Sequence, residues 1–227
     1  MDIIKVVLRT NQLEKMKNFY STIFELPIIS TSNDSFEIKL GITTLVFTNK
    51  NVKGNPYYHF ALDIPYEQFN EAKEWIKKKI PLLTEEGEDE VYFSHLNAKS
   101  FYFEDPSGNI IEFIARSFHS QPNNHFFSQK NILKISEISL VVDNKLQVAK
   151  QLENHSIINR EKDEMTENNL SFMTKGNLPV YLLLVQPNRR WFFSSKKSAI
   201  FPLDIFIDSK IQLGIQTNND FYIQELK

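Results

Sequence analysis

The sequence contains no cysteine, which removes disulfides and thiolate metal centres from any account of its stability or chemistry. Glycine is scarce at 6 copies, and neither a phosphate-binding glycine loop nor a G-x-S-x-G nucleophile elbow is present. No apolar stretch approaches the roughly 20 residues that cross a bilayer. Met1-Asp2-Ile3-Ile4-Lys5 enters a strand-like run without a signal-peptide pattern. A cytoplasmic protein without a membrane partner is the expectation. Charge of one sign is also missing. Lys and Arg total 26 against 28 Asp and Glu, so there is no concentrated basic face and no nucleic-acid partner is expected. The densest basic run, Lys77-Lys78-Lys79, closes an amphipathic helix pattern, where positive charge complements the helix C-terminus.

What the chain does have is apolar mass. Hydrophobic residues make up 41% of its 227 positions, with 19 Phe spread along its length. That is enough for one large domain or two modest ones with packed cores.

The order of elements recurs. Ile3 to Arg9 reads as a strand. Asn11 caps a helix from about Gln12 to Phe24, with Leu13, Met16, Phe19, Tyr20 and Ile23 on one face. Phe36 to Leu40 and Thr43 to Thr48 follow as strands joined at Gly41. The second copy runs from the strand Tyr57 to Ile64 through the helix Tyr66 to Lys79 to strands at Val91 to His95, Ser100 to Glu104 and Asn109 to Ala115. A third copy opens at Ile135 to Val142 and continues through a helix to about Asn154, with Phe172 and Val180 to Val185 in later strands. Ala199 to Ile207 and Ile211 to Leu226 form a truncated fourth copy. Arg116 to Asn131 is polar and reads as a linker. The expected organisation is therefore a two-module unit at 1–116, a linker at 117–131, and a degenerate second unit at 132–227.

The segment SFYFEDPSGNIIEF at residues 100–113 resembles the end of a module of the vicinal-oxygen-chelate superfamily, which includes glyoxalases, bleomycin-resistance proteins and extradiol dioxygenases. Leu8 through Phe24 resembles the helix that opens such modules, and Tyr58 to Asp63 the first strand of a second one. The resemblance implies an α+β fold in which repeated βαβββ modules form curved mixed sheets around a cavity for a small-molecule ligand. It also implies a divalent metal (Fe, Mn, Zn or Ni) held by residues of the first and last strands of modules. One cavity is then closed by paired modules of one chain or with a second copy, a homodimer.

Strand alternation bears on the same residues. His59, Ala61 and Asp63 share one face of their strand, and Phe60, Leu62 and Ile64 the other. Ile110, Glu112 and Ile114 likewise oppose Ile111, Phe113 and Ala115. A carboxylate among isoleucines on a cavity face needs a metal, a base or a hydrogen-bond donor. His59 and Glu112 match two ligand positions of the resemblance and are the candidate catalytic and metal-binding pair. Lys5 falls where the first module carries a ligand; an ammonium cannot ligate, and an ion pair between Lys5 and Glu112 is the expectation in its place. Lys5, Arg9 and Tyr102 are expected to line the cavity. Glu137, His95, His119, His125 and the run Arg189-Arg190-Trp191 are weaker candidates. Three readings remain open: metal-dependent lyase or dioxygenase chemistry, metal-free binding or sequestration of a small molecule, and a scaffold whose extra half makes a pseudo-dimer without a retained ligand.

Overall fold

The computed structural model describes residues 1–117, 126–160, 165–167 and 169–226. The first module comprises β1 (Ile3–Arg9), α1 (Leu13–Asn18), β2 (Ile28–Thr31), β3 (Ser35–Leu40) and β4 (Thr43–Thr48). The second comprises β5 (His59–Ile64), α2 (Phe69–Lys77), β6 (Val91–Phe93), β7 (Ala98–Glu104) and β8 (Ile110–Arg116). The third comprises β9 (Lys134–Val141), α3 (Lys145–Glu153), β10 (Ile158–Asn159), β11 (Ser171–Thr174) and β12 (Tyr181–Val185). A run of β13 (Leu203–Ile207), β14 (Ile211–Ile215) and β15 (Phe221–Glu225) completes the chain.

Within each full module the first and last strands are parallel neighbours: β1 with β4, β5 with β8, β9 with β12. Parallel neighbours need a crossover, and the module's helix lies on that path. The last three strands have no helix between them, so they add only by antiparallel turns. Lys210 N donates to Ile207 O across Asp208 and Ser209, both at positive φ.

Two mixed sheets result. One runs β15-β14-β13-β1-β4-β3-β2 and the other β10-β11-β12-β9-β5-β8-β7-β6. The first module therefore pairs with the terminal strands, through β1 and β13, and the second with the third, through β5 and β9. The α+β architecture of repeated modules is as the sequence predicts, but the partnering is not. The eight-stranded sheet takes β9 to β12 from beyond the polar linker, in place of the first module. Each sheet thus has strands on both sides of residues 117–131, of which 118–125, including His119 and His125, lie outside the described residues.

The opening helix also differs at its ends. It starts at Leu13 with Thr10 Oγ1 accepting from Gln12 N at 3.0 Å, while the Asn11 side chain reaches Gly54 O and Asn55 instead. It continues as a π-helical turn over Phe19–Ile23. That wider turn packs Phe19, Tyr20 and Phe24 into one cluster. Phe24 then meets Trp75 of α2 at 5.5 Å and Phe103 of β7 at 5.5 Å, so one apolar core joins the helices to both sheets. Gly41, at φ +54, lets the β3–β4 turn approach the start of β9. A Cβ there would lie 1.7 Å from Leu133 O, the atom that accepts from Ile42 N.

Candidate functional site

The eight-stranded sheet carries its apolar face toward the helices, with Phe60, Leu62, Ile64, Ile111, Phe113 and Ala115 in the main core. Its opposite face lines a cavity of about 340 Å³ that contains His59, Tyr102, Glu112, Ile114 and Glu137. Period-2 alternation along β5 and β8 is the whole reason for this division.

His59 is fixed by the DPSGN turn. Asp105 accepts from Ser107 N, Asn109 N, Asn109 Nδ2 and the Tyr20 hydroxyl, all between 2.7 and 3.0 Å. Gly108, at φ +78, makes the sharp return that brings Asn109 round. Asn109 Oδ1 then accepts from Tyr58 N at 2.8 Å, and Ile110 N donates to Tyr58 O at 2.8 Å. With β5 held there, the His59 Nδ1 lies 3.0 Å from Ile110 O. A carbonyl can only accept, so Nδ1 carries the proton and Nε2 offers its lone pair to the cavity.

That Nε2 lies 3.6 Å from Glu112 Oε2. Both side chains are buried, and neither is in its ordinary ionisation range. Burial, opposed by the Ile110 carbonyl, brings the imidazole pKa down to about 4. Burial first, and then repulsion from Glu137, pushes the Glu112 carboxyl up to about 8. Both shifts favour the uncharged form, a protonated acid beside a neutral base.

A titration with a definite sign follows. The folded His59 binds its proton less readily than an unfolded histidine at 6.5, so the contribution of this group to stability falls as pH falls from about 6.5 to about 4, against an opposite contribution from Glu112. His59→Gln lacks this contribution, so its melting temperature relative to the wild type is expected to rise as pH falls across that range. A constant difference between the two across that range would mean that His59 does not titrate between those limits.

Below this pair sits a buried cation. Arg116, 1% exposed, places Nη1 2.5 Å from Asp63 Oδ1 and 3.0 Å from Ser136 Oγ, while Nη2 holds Glu137. A register shift in the β5–β9 ladder lies at this point: Ala61 faces Glu137 but Leu62 faces Ile135, which leaves Ser136 as the extra residue.

Lys5 and Arg9 are not cavity residues. Both lie on β1 in the other sheet, where Lys5 is 3.3 Å from Glu37 and Arg9 2.9 Å from Asp204. The expected Lys5–Glu112 pair does not form, because β1 pairs with β13 and β4 rather than with the second module. The cation whose charge acts on Glu112 is Arg116, which is itself bound to Asp63 and Glu137. Tyr102 does line the cavity, opposite Glu112 in the β7–β8 ladder, where burial and then the neighbouring Glu112 carboxyl raise its phenol pKa. Glu137 and His95 line it as well.

The outer wall is a segment that follows β12. Trp191 lies 4.9 Å from the His59 ring, and Phe193 stacks on Tyr102 at 4.8 Å. Arg189 and Phe192 also line the cavity. Glu85 fastens this segment by pairing with Arg190 and accepting from Phe193 N at 2.6 Å. Lys196 adds a second tie to Glu104 and to Gly108 O, each at 2.7 Å.

The donor set falls short of the implied metal. Catalytic sites generally supply three protein donors and leave a position open. Here His59 Nε2 and Glu112 face one another, while the carboxylate of Glu137 is engaged by a guanidinium. Among the described residues no three His, Cys, Asp or Glu side chains group as a metal site. The residues present do not fit a metal centre.

Sequence reasoning missed Arg116. The sequence pattern ends the strand at Ala115, one residue short of Arg116, yet 112, 114 and 116 share a face. Two acids in strand interiors, Asp63 and Glu137, were the signal that a buried cation must exist.

Residues 135–189 match the family model described as toxoflavin-degrading enzyme, a segment that supplies Glu137, Phe172, Leu183 and Arg189 to the cavity wall. No curated protein matches. Among solved structures, a dioxygenase-type protein from Bacillus subtilis is 12% identical with a TM-score of 0.51, covering 82% of this chain and 62% of that one. Lactoylglutathione lyase from Agrobacterium tumefaciens is 19% identical with a TM-score of 0.42, covering 51% and 94%. A glyoxalase/bleomycin resistance protein/dioxygenase from Nocardioides is 18% identical with a TM-score of 0.43, covering 55% and 89%. The Bacillus likeness is one of fold. Among the described residues no helix is long and apolar enough to cross a membrane.

Proposed function

We propose that this chain, a member of the vicinal-oxygen-chelate superfamily, holds a flat aromatic small molecule in its cavity without a metal, and that Glu112 and His59 read one polar edge of it. The observation that carries this reading is the buried His59 Nε2 and Glu112 Oε2, 3.6 Å apart within an aromatic wall; burial favours the uncharged form of each. A protonated Glu112 donates one hydrogen bond and His59 Nε2 accepts one. That is the complement of a lactam edge, in which an N–H stands next to a C=O. Phe93, Phe172, Trp191 and Phe192 offer ring faces around it. Arg189 lines the same cavity and suits a ligand whose far end is electron-rich.

The alternative, metal-dependent lyase or dioxygenase chemistry, needs a third donor that Arg116 withholds. Trp191 fluorescence separates the two. Quinazolin-4-one, which has a lactam edge, is expected to quench it saturably and to bind at least about tenfold more tightly than quinazoline, the worth of roughly 1.4 kcal/mol. EDTA should leave both titrations unchanged, and Trp191→Phe should remove the signal. Equal affinity for the two compounds, no saturable quenching by either, or loss of binding in EDTA would each overturn the reading.

A further inference from the structure

We infer that the Arg116 guanidinium stands in place of a metal ion: it diverts Glu137 from the His59–Glu112 pair, and removing its charge opens a divalent-cation site at His59, Glu112 and Glu137. The inference rests on the metal-free reading of the cavity but not on any particular ligand.

The placement of the three donors comes from the sheet. Ala61 on β5 is the ladder partner of Glu112 on β8 and of Glu137 on β9. Adjacent strands lie about 4.8 Å apart, so two carboxylate-bearing residues flank one methyl side chain on the same face. His59 stands two residues along β5 on that face. A larger residue at 61 would fill the space between the carboxylates; alanine leaves it to them. His59, Glu112 and Glu137 line one cavity.

What prevents them from acting as a ligand set is the fork of Arg116. It grips Asp63 and Ser136 with one arm and Glu137 with the other. Arg116 sits four residues after Glu112 on the same strand, hence on the same face and roughly 13 Å farther along it, and its long side chain reaches Glu137. Its charge cannot be shed, because a guanidinium stays protonated. A second cation brought to His59 and Glu112 meets this fixed positive charge in a poorly screened interior. Stability alone is a weak explanation for such a cluster, since buried ion pairs barely repay their desolvation. Control of what the cavity accepts is a better one.

Arg116→Gln keeps hydrogen-bonding capacity and removes the charge. Titrated with Co(II), this variant is expected to develop visible d–d absorption saturating at one ion per chain. Its affinity should exceed that of the wild type by at least about 100-fold, a conservative figure for lifting a neighbouring positive charge. Co(II) should also raise its melting temperature, and adding His59→Ala should abolish the bands. Arg116→Lys, which retains the charge, should remain without the bands. If Arg116→Gln does not fold, Arg116→Gln with Asp63→Asn removes one acid along with the cation and is read in the same way. A folded charge-free variant that binds no Co(II) overturns this inference and leaves the lactam titration untouched. Stoichiometric Co(II) binding by the wild type that His59→Ala removes overturns both.

Discussion

Asp105→Ala is expected to destabilise the protein by about 3–4 kcal/mol, because the loss strands several donors at once. The carboxylate is buried and accepts four hydrogen bonds, from Tyr20, from Ser107 N and from two nitrogens of Asn109. Burial raises its pKa to about 6 against those same donors, so it is largely ionised at neutral pH and the bonds are charge-assisted. Alanine leaves the Tyr20 hydroxyl and Asn109 Nδ2 without that acceptor inside the core. For a chain of this size the melting temperature should fall by roughly 10 °C. The cost reaches the cavity too, since Asn109 holds Tyr58 and thereby the strand that begins at His59. A second readout is the His59 imidazole N–H proton resonance, which should broaden or exchange faster. A variant with wild-type melting would mean that the turn closes by its backbone alone.

The DPSGN segment was legible in the sequence because its chemistry is local. Every partner of Asp105 but Tyr20 lies within four residues. The face assignment of β5 and β8 was legible for a similar reason: alternation along a strand needs no knowledge of neighbours, and it placed His59 and Glu112 on one side. Pairing between modules was not legible. Lys5 and His59 occupy equivalent places in their modules, and nothing local says that β1 meets β13 while β5 meets β9. That choice depends on the surfaces of whole modules, and it moved Lys5 and Arg9 to the other sheet. Arg116 escaped for a related reason. Its partners, Asp63 and Glu137, are distant in sequence, and a lone Arg at the end of a strand ordinarily marks a boundary. The π-helical turn at Phe19–Ile23 was equally hidden, since helical periodicity alone does not distinguish a local widening in which three aromatic side chains pack together.

Adjacent residues on β8 should respond to substitution with opposite signs. Phe113 points to the core, where it meets Phe101 at 5.3 Å, Phe103 at 5.5 Å and Phe127 at 6.0 Å. Phe113→Ala removes a fully buried ring and leaves a cavity, at a cost of about 3–5 kcal/mol. Glu112 points the other way. Its folded carboxyl keeps the proton up to about 8, whereas an unfolded one releases it near 4.5. The unfolded form of this group is therefore the less protonated one between those limits, and its contribution to wild-type stability declines as pH rises through them. Glu112→Gln has no such proton to lose. It should match the wild type near pH 5 and exceed it at pH 9, by about 1–3 kcal/mol once solvent access and coupling to Glu137 are allowed for. The same variant has an amide in place of the acid, and its selectivity between quinazolin-4-one and quinazoline should change. Denaturant melts at the two pH values test the stability arm. If Glu112→Gln and the wild type decline in parallel up to pH 9, the carboxylate is already ionised at neutral pH, and the uncharged pair on which lactam recognition depends does not exist.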